Sequence, residues 1–309
     1  MKHVLIFSLS LFFLFIALKS NSQTTQPAQP ATLGGSQVRD GIYDKEHVPA
    51  RIPVPYYHLR EADVMWSKKI WRELDLTEKI NHPLYFPSKK MEAVDDRFSL
   101  IALLMYGVKY ENLEVYGTIT DEFKSPLTWK EIESNFGVKT DTNQVEDALT
   151  GELQAKVVVT EMKPEEVKRY LMKEVWYLDK QRAKMEVRIL GLCPVREYVR
   201  EEAAAAPGAD AGGGEDEASI EKKLICWVYY PSVRNLFANH EVFNPYNDAE
   251  RRTFEDIFFK RRFSSWIYQE TNVYDNRQIS DYQVGLDARL ESEKVKTFMF
   301  TLEHDLWEW

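Results

Sequence analysis

The chain has 309 residues, of which 44% are hydrophobic, 29% are charged and 13% are aromatic. This composition excludes a collagen-like or wholly disordered protein, and the length fits one large domain or two smaller ones. The net charge of −9, with no dense tract of lysine and arginine to offset it, argues against a nucleic-acid binder.

The first 22 residues have the pattern of a secretory signal peptide. Lys2 precedes an apolar run of 15 residues, from Val4 to Leu18, and small residues follow at Ser20 and Ser22. A membrane span needs about 20 apolar residues, so we predict cleavage near Ser22, with an uncleaved N-terminal anchor as the alternative. Cleavage would remove two lysines and no acidic residue, which lowers the net charge from −9 to −11.

Nothing in the rest of the sequence predicts a membrane anchor. The two cysteines, Cys193 and Cys226, lie far from the apolar run, so a lipoprotein cleavage site is not expected. The longest later apolar segment, Phe98–Tyr106, has nine residues and is too short to span a bilayer. We therefore expect an exported protein that is not itself lipidated.

Residues 23–57 contain five prolines and form a predicted extended arm. The half nearer the signal peptide resembles a plain spacer. The half from Asp40 to Tyr57 is expected to bind a partner or a neighbouring copy, with the chain's own domain as the competing docking site. Its candidate anchors are apolar: Ile42, Ile52, Val54, Tyr56 and Tyr57.

Two helices are predicted next along the chain. From His58 to Leu76, apolar residues such as Trp66 and Ile70 recur at steps of three and four, which favours a helix. A second helix is predicted from Asp95 or Asp96 to Tyr106, ended by Gly107. Its residues are apolar on all sides, so it is the candidate for a buried central helix.

Most of the predicted strands fall between Leu113 and Tyr230. The alternating or β-branched runs are Leu113–Ile119, Ala155–Thr160, Glu174–Leu178, Met185–Tyr198 and Lys222–Tyr230. Glu174–Leu178 and Met185–Tyr198 are predicted to form a hairpin. Short helices are predicted from Ser125 to Phe136, ended by Gly137, and at Pro164–Glu166.

Residues 201–218 are rich in alanine, glycine and acids, and they predict a mobile loop inserted between two strands. If those strands pair around the middle of the loop, Cys193 and Cys226 face each other on one side of the sheet. A disulfide is then feasible in an exported protein. Two buried free thiols are the alternative.

The C-terminal part is predicted to be helical. Asn247 is the expected cap of a helix that includes Phe254 and Ile257, and another helix is predicted from Gly285 to Leu306. A basic and aromatic stretch, Phe254–Trp266, is either a solvated face or a contact for an acidic partner. Its candidate contact residues are Arg261, Arg262 and Trp266.

The sequence offers no catalytic or metal-binding pattern. The six histidines never occur at the i, i+4 spacing of a metal site, and no strand–Gly-x-Ser-x-Gly–helix unit occurs. His240 with Glu241 is the pair most worth testing, although such neighbours are common by chance. We expect no enzyme activity and no cofactor.

The order of the elements predicts an α+β fold. A single mixed domain over residues 58–309 should contain an antiparallel sheet, a buried central helix and flanking helices, preceded by the arm. Strands that come in a run, rather than alternating with helices, argue against a parallel doubly wound sheet.

Several blocks of the sequence resemble one known family. They run from about residue 40 to 300, and the Ala/Gly-rich loop is not a feature that we associate with that family. The blocks are Asp40-Gly-Ile-Tyr-Asp44, Ile52-Pro-Val-Pro-Tyr-Tyr57, Trp66–Trp71, His82–Pro87, Arg188-Ile-Leu-Gly-Leu192 with Pro194, Val242–Pro245 and Phe254–Arg262. The chain thereby resembles the GldN family, called PorN in non-gliding relatives, of the type IX secretion system of Bacteroidota.

This resemblance implies a structural role in the periplasm. Such proteins form a ring below the outer membrane with a lipoprotein partner, GldK or PorK, and contact the periplasmic shaft formed by GldM or PorM. The resemblance implies a homo-oligomeric ring and brings no catalytic or cofactor residue. Two other classes stay open on the sequence alone, a periplasmic cell-wall hydrolase and a peptidoglycan-binding module.

Overall fold

The computed structural model of the chain describes residues 51–94, 97–138, 140–146, 153–199, 220–247 and 249–305. The predicted signal peptide, Ile42, Asp95, Asp96, the loop at 201–218 and the last four residues lie outside these ranges. Within them the architecture is α+β, as predicted, with an antiparallel sheet and six helices. No described helix combines the length and apolar character that crossing a bilayer requires.

The elements are numbered here in chain order. The strands are β1 (Val64–Asp75), β2 (Val115–Tyr116), β3 (Thr140–Glu146), β4 (Leu153–Val159), β5 (Val167–Asp179), β6 (Lys184–Val199), β7 (Ile220–Leu224), β8 (Trp227–Tyr229), β9 (Glu241–Val242), β10 (Arg252–Thr253) and β11 (Trp266–Glu270). The helices are α1 (His82–Tyr85), α2 (Leu100–Tyr110), α3 (Trp129–Phe136), α4 (Tyr230–Asn239), α5 (Phe254–Phe259) and α6 (Leu286–Asp305).

Seven strands form the main sheet, in the order β11-β1-β5-β6-β8-β2, with β7 also paired to β6. Every strand pairing in this sheet is antiparallel. The hairpin of β5 and β6, predicted from the alternation after Met185, is its longest pairing. Strands β3 and β4 form a separate two-stranded ribbon.

The helix predicted over His58–Leu76 is wrong, because most of this segment is strand β1. Trp66, Ile70 and Leu74 are four residues apart, and an even spacing places them on one face of a strand as well as of a helix. Lys68 and Arg72 share that face, and their charges conceal the alternation. Each is ion-paired there, Lys68 with Glu270 at 2.7 Å and Arg72 with Glu174 at 3.1 Å.

The buried central helix is confirmed as α2, although its bounds differ from the prediction. Every residue from Leu100 to Met105 is buried. Ser99 caps the helix, since its Oγ accepts the N–H of Ala102 at 3.4 Å. Gly107 does not end it. A Cβ at Gly107 would lie 2.6 Å from Leu236 Cδ2, so the glycine serves the close approach of α4.

The strand predicted over Lys222–Tyr230 is divided in two. Strand β7 pairs with β6 from Val195↔Leu224 onward, and β8 pairs with β6 at Leu192↔Val228. Tyr230 begins α4 instead of ending the strand, because Pro231 suits the first turn of a helix. The strand predicted at Leu113–Ile119 is likewise reduced to the two residues of β2.

The aromatic and basic helix predicted over Phe254–Trp266 ends at Phe259. Thr253 caps it rather than Asn247, by a reciprocal pair of hydrogen bonds with Asp256. At the other end Arg261 has a φ of 51°, and the N–H of Arg262 donates to the Ile257 carbonyl at 2.9 Å. These bonds close the helix, and Trp266 then begins strand β11.

Helix α6 packs on the sheet at β11, away from the main core. The stripe of Ala288, Ser292, Val295 and Met299 faces Ile70 and Ile267. The buried hydroxyl of Ser292 accepts the N–H of Ile267 at 2.9 Å. The helix therefore docks by one narrow stripe, and the main core lies under α2, α4 and α5.

Candidate partner-binding surface

The described part of the predicted arm, residues 51–57, lies on the chain's own domain. The N–H of Arg51 donates to Asn239 Oδ1 at 2.8 Å, and Arg234 Nη2 donates to the Val54 carbonyl at 2.6 Å. Arg188 Nη2 donates to the Tyr57 carbonyl at 2.9 Å. Three points of attachment thus fix this segment as an extended strap.

Two tyrosines of the strap stack against arginines. The Tyr56 ring lies 4.1 Å from the Arg234 guanidinium and 5.0 Å from that of Arg188. The Tyr57 ring lies 3.6 Å from Arg182 and 5.1 Å from Arg188. Burial raises the pKa of both phenols, and for Tyr57 hydrogen bonds with Tyr177 and Asp179 raise it further.

The candidate anchors of the arm separate into two groups. Tyr56 and Tyr57 are half-buried against the chain's own domain, which was the alternative to a partner as their docking site. Ile52 and Val54 are exposed by 88% and 61% of their surface, although the backbone beside them is held. These two side chains therefore project into solvent from a fixed segment.

The basic and aromatic candidates do not form one surface. Arg261 donates to Glu174 at 2.8 Å, so its charge is used inside the protein. Arg262 is exposed, and Trp266 is half-buried with its ring 6.3 Å from that of Tyr268. The predicted single helix is absent, and with it the shared face that would have brought the three together.

A groove of about 540 Å³ lies beside the strap and contains four of the predicted residues, Val54, Tyr56, Tyr57 and Arg261. The sequence did not indicate its other main components. They are Arg182, the run from Met185 to Ile189 in β6, Tyr230 and the aromatic pair Phe258 and Phe259 of α5. The alternation of Met185, Val187 and Ile189 with Glu186 and Arg188 was visible, but nothing in it indicated a binding groove.

A buried cluster of charges lies next to this groove. Glu174 is fully buried and accepts from Arg72 at 3.1 Å and from Arg261 at 2.8 Å. The pKa of Arg72 is lowered, mainly because the side chain is buried. The negative charge of Glu174 acts in the opposite direction and raises that pKa. Trp176 Nε1 also donates to Glu174, at 3.0 Å. The cluster fixes β1, β5 and the segment after α5 in one arrangement.

A second groove, of about 580 Å³, lies at β1 and is lined by residues such as Trp66, Lys69 and Phe298. Within it Asp121 accepts from Trp71 Nε1 at 2.6 Å and pairs with Lys173 at 2.8 Å. Burial alone would raise the pKa of Asp121, but the bonds from Lys173 and Trp71 outweigh it and hold the pKa below its usual value. The carboxylate is thus held as an anion within its own ion pair.

Helix α6 presents a second apolar face to solvent. Leu286, Leu290 and Phe300 are exposed. They lie on the side away from the stripe that packs on β11. A helix with apolar residues on both sides is typical of one that packs on a second molecule.

The cysteines do not face each other as the sequence predicted. Both are free and buried. The predicted register holds from Val195↔Leu224 to Val199↔Ile220, and the N–H of Ile225 donates to Pro194. Leu192 then pairs with Val228, so Cys193 stands opposite two residues, Cys226 and Trp227. The extra residue places Cys226 in the main core and Cys193 in the cluster on the other face of the sheet.

The pair of residues considered for catalysis is engaged in structural contacts. His240 Nδ1 lies 2.9 Å from the Leu236 carbonyl, and its ring packs on Phe98 and Tyr106. Glu241 pairs with Arg251 at 3.4 Å. Across the part of the chain that the structure describes, no group of histidine, cysteine and acidic side chains could hold a metal ion.

One family model matches the chain. It is described as gliding motility associated protein GldN, and the match covers residues 59–308. A comparison with curated proteins gives no match. The matched region includes the six described helices, the main sheet and the groove residues of β6 and α5, whereas the strap residues Val54 to Tyr57 precede it. The chain therefore belongs to the GldN family of gliding motility associated proteins.

Proposed function

We propose that this protein is a structural subunit of the periplasmic ring of the type IX secretion system. In this role it supports both secretion across the outer membrane and gliding motility. It binds an outer-membrane lipoprotein of the GldK or PorK type, contacts a GldM- or PorM-type periplasmic shaft, and assembles with further copies of itself. Family membership supports the link to gliding motility, and the predicted signal peptide supports the location.

The observation that carries this proposal is the pair of exposed apolar side chains on the strap. Ile52 and Val54 stand in solvent while hydrogen bonds at Arg51 and Val54 hold their backbone. A segment that is already ordered loses little entropy when another protein covers it, so it is well suited to binding. The apolar outer face of α6 is a second surface of the same kind, on the part of the sheet next to β11.

The proposal implies that the chain is retained at the outer membrane by its partners. No cysteine directly follows its predicted signal peptide. A subunit of this kind needs an anchored protein to hold it in place. The lipoprotein partner supplies that anchor in the proposed assembly.

The test is co-purification with the lipoprotein from the host envelope. A tagged chain in which both Ile52 and Val54 are replaced by serine should recover less lipoprotein than the wild type. Replacing Ile119 by serine is the matched control, because Ile119 is 99% exposed and lies elsewhere. Equal recovery with all three proteins would contradict binding through the strap, and no recovery with the wild type would contradict the proposed function.

A further inference from the structure

The groove beside the strap follows an open strand edge. Strand β6 pairs with β5 along one side from Lys184 to Arg196. On its other side it pairs with β8 at Gly191 and Leu192 and with β7 from Val195 to Val199. Among the described residues no strand pairs with that second side between Lys184 and Ile189. No described strand or side chain bonds the backbone groups there that point away from β5, so a further strand could pair with them.

The lining of the groove shows that it runs along this edge. Five consecutive residues of β6, from Met185 to Ile189, line it, although successive side chains of a strand point to opposite faces. Residues from both faces can share one groove only where the groove borders the edge. The strap forms one wall and Phe258 and Phe259 of α5 form another, with Phe259 54% exposed.

Positive charge is in excess in this groove. Arg182, Arg188 and Arg261 line it, and Arg72 lies behind Arg261 at the same carboxylate, Glu174. Glu186 is the one carboxylate among the lining residues, and it lies 3.6 Å from Arg182.

Arg188 is the arginine whose charge is not balanced. Its guanidinium stacks with Tyr56, Tyr57 and Tyr177 and donates to a backbone carbonyl. No described carboxylate lies within ion-pair distance of it. A half-buried cation of this kind, on a chain of net charge −9, marks a preference for a negatively charged ligand.

We propose that an acidic, extended segment of a partner protein adds a strand to β6 at Lys184–Ile189, with its carboxylates against Arg188 and Arg182. Backbone pairing supplies affinity in such strand addition, and alternate side chains supply specificity. Apolar side chains of the segment would pack between Met185 and Phe259. The inference rests on the proposed role as a ring subunit, and it names the chemistry of one partner contact.

The test is binding of a fluorescein-labelled decapeptide of alternating glutamate and valine to the full-length protein, followed by fluorescence anisotropy. The acidic peptide should bind at least about tenfold more tightly than a lysine–valine peptide, and more weakly as salt rises. A glutamate–valine peptide with alternate backbone nitrogens methylated should lose binding, because one edge of the peptide then has no N–H groups to donate to β6.

Two variants of opposite effect locate the site. Arg188→Gln should weaken binding of the acidic peptide about tenfold, whereas Glu186→Gln, which removes the carboxylate of the groove, should strengthen it. A misfolded variant would not bind the peptide more tightly, so the gain expected for Glu186→Gln cannot be explained by loss of the fold. Arg289→Gln, on the exposed surface of α6, is the matched control and should change nothing.

Several results would overturn the inference. They are equal binding of the acidic and basic peptides, tolerance of backbone methylation, or no effect of Arg188→Gln and Glu186→Gln. Binding of phosphatidylglycerol vesicles in place of the peptide would show that the groove takes a lipid headgroup instead. If the protein binds no peptide but co-purifies with the lipoprotein, only the strand addition in the groove is contradicted. If it binds the acidic peptide but does not co-purify with the lipoprotein, only the proposed function is contradicted.

Discussion

Glu174 shows how much a single buried side chain decides in this protein. Its carboxylate has no exposed surface and forms ion pairs with the guanidiniums of both Arg72 and Arg261. Two cations near one another are tolerable in the interior only while that anion is present. The sequence placed Glu174 in a strand but could not identify its partners, Arg72 and Arg261, which lie 102 and 87 positions away along the chain.

Replacing Glu174 by glutamine should therefore destabilise the fold by about 3–5 kcal/mol, because it leaves both arginines without a counter-charge. Chemical denaturation in urea measures this loss. Glu122→Gln, the same change in an exposed pair with Lys124, is the control and should leave the midpoint unchanged. Equal midpoints for the Glu174 variant and the wild type would contradict the buried cluster.

The two thiols should be free and unreactive while the protein is folded. Burial raises the pKa of the Cys226 thiol to about 12 and that of Cys193 well above its usual value. Thiolate is the reactive form, so a thiol reagent at pH 8 should label neither cysteine in the folded protein and both after denaturation. Mass spectrometry counts the labels. No labelling of the denatured protein would show that the two are bonded.

At the scale of single elements, the strap depends on its tyrosines. Tyr57 donates to Asp179 at 3.0 Å, and Asp179 is almost fully buried. Tyr57→Phe should lower the melting temperature at pH 7, because the carboxylate loses a donor that water does not replace. Tyr246→Phe, at an 88% exposed position, is the control and should have no effect.

The same variant predicts a pH dependence. The pKa of Tyr57 is raised in the folded state, so its contribution is complete below the unfolded value of about 10 and is lost as the pH rises beyond it. The difference in melting temperature between wild type and Tyr57→Phe should be constant from pH 7 to 9 and shrink above pH 10. A difference that grew with pH would contradict the assigned hydrogen bond.

Helix α3 depends on the glycine that follows it. Gly137 has a φ of 76°, and a Cβ there would lie 2.1 Å from Arg196 Nη1. Gly137→Ala should cost about 1–2 kcal/mol of stability from the backbone conformation alone. Gly117→Ala is the matched control. The nearest atom to its Cβ would be 3.7 Å away, so thermal unfolding should differ little from wild type.

Sequence patterns located an element correctly where a single local feature determined it. Gly137 ended its helix as predicted, since only a left-handed residue fits there, and α2 was recognised from its uninterrupted apolar run. The pattern failed at β1, where Lys68 and Arg72 occupy inward positions because Glu270 and Glu174 pair with them. Such distant partners cannot be deduced from local spacing.

The cysteine prediction failed for a similar reason. The register of β6 and β7 was correct for five pairs, and a single extra residue then reversed the side of Cys226. A bulge of this kind carries no composition signal. It has to be seen in the fold.

At the scale of the whole molecule, the α+β class and the antiparallel sheet followed from the order of predicted elements. The candidate site was predicted only in part. Val54, Tyr56, Tyr57 and Arg261 do line one groove, but they are joined there by Arg188 and Arg182 of the β5–β6 hairpin. Tertiary packing alone brings the strap, the hairpin and α5 together.

In the proposed role this chain is one subunit of a ring that contains an anchored lipoprotein. The most direct measurement is electron microscopy and mass analysis of the complex extracted gently from the host envelope through a tag on this chain. We expect large symmetric particles that contain many copies of the chain together with the lipoprotein. A monodisperse single copy, recovered without any lipoprotein, would contradict it.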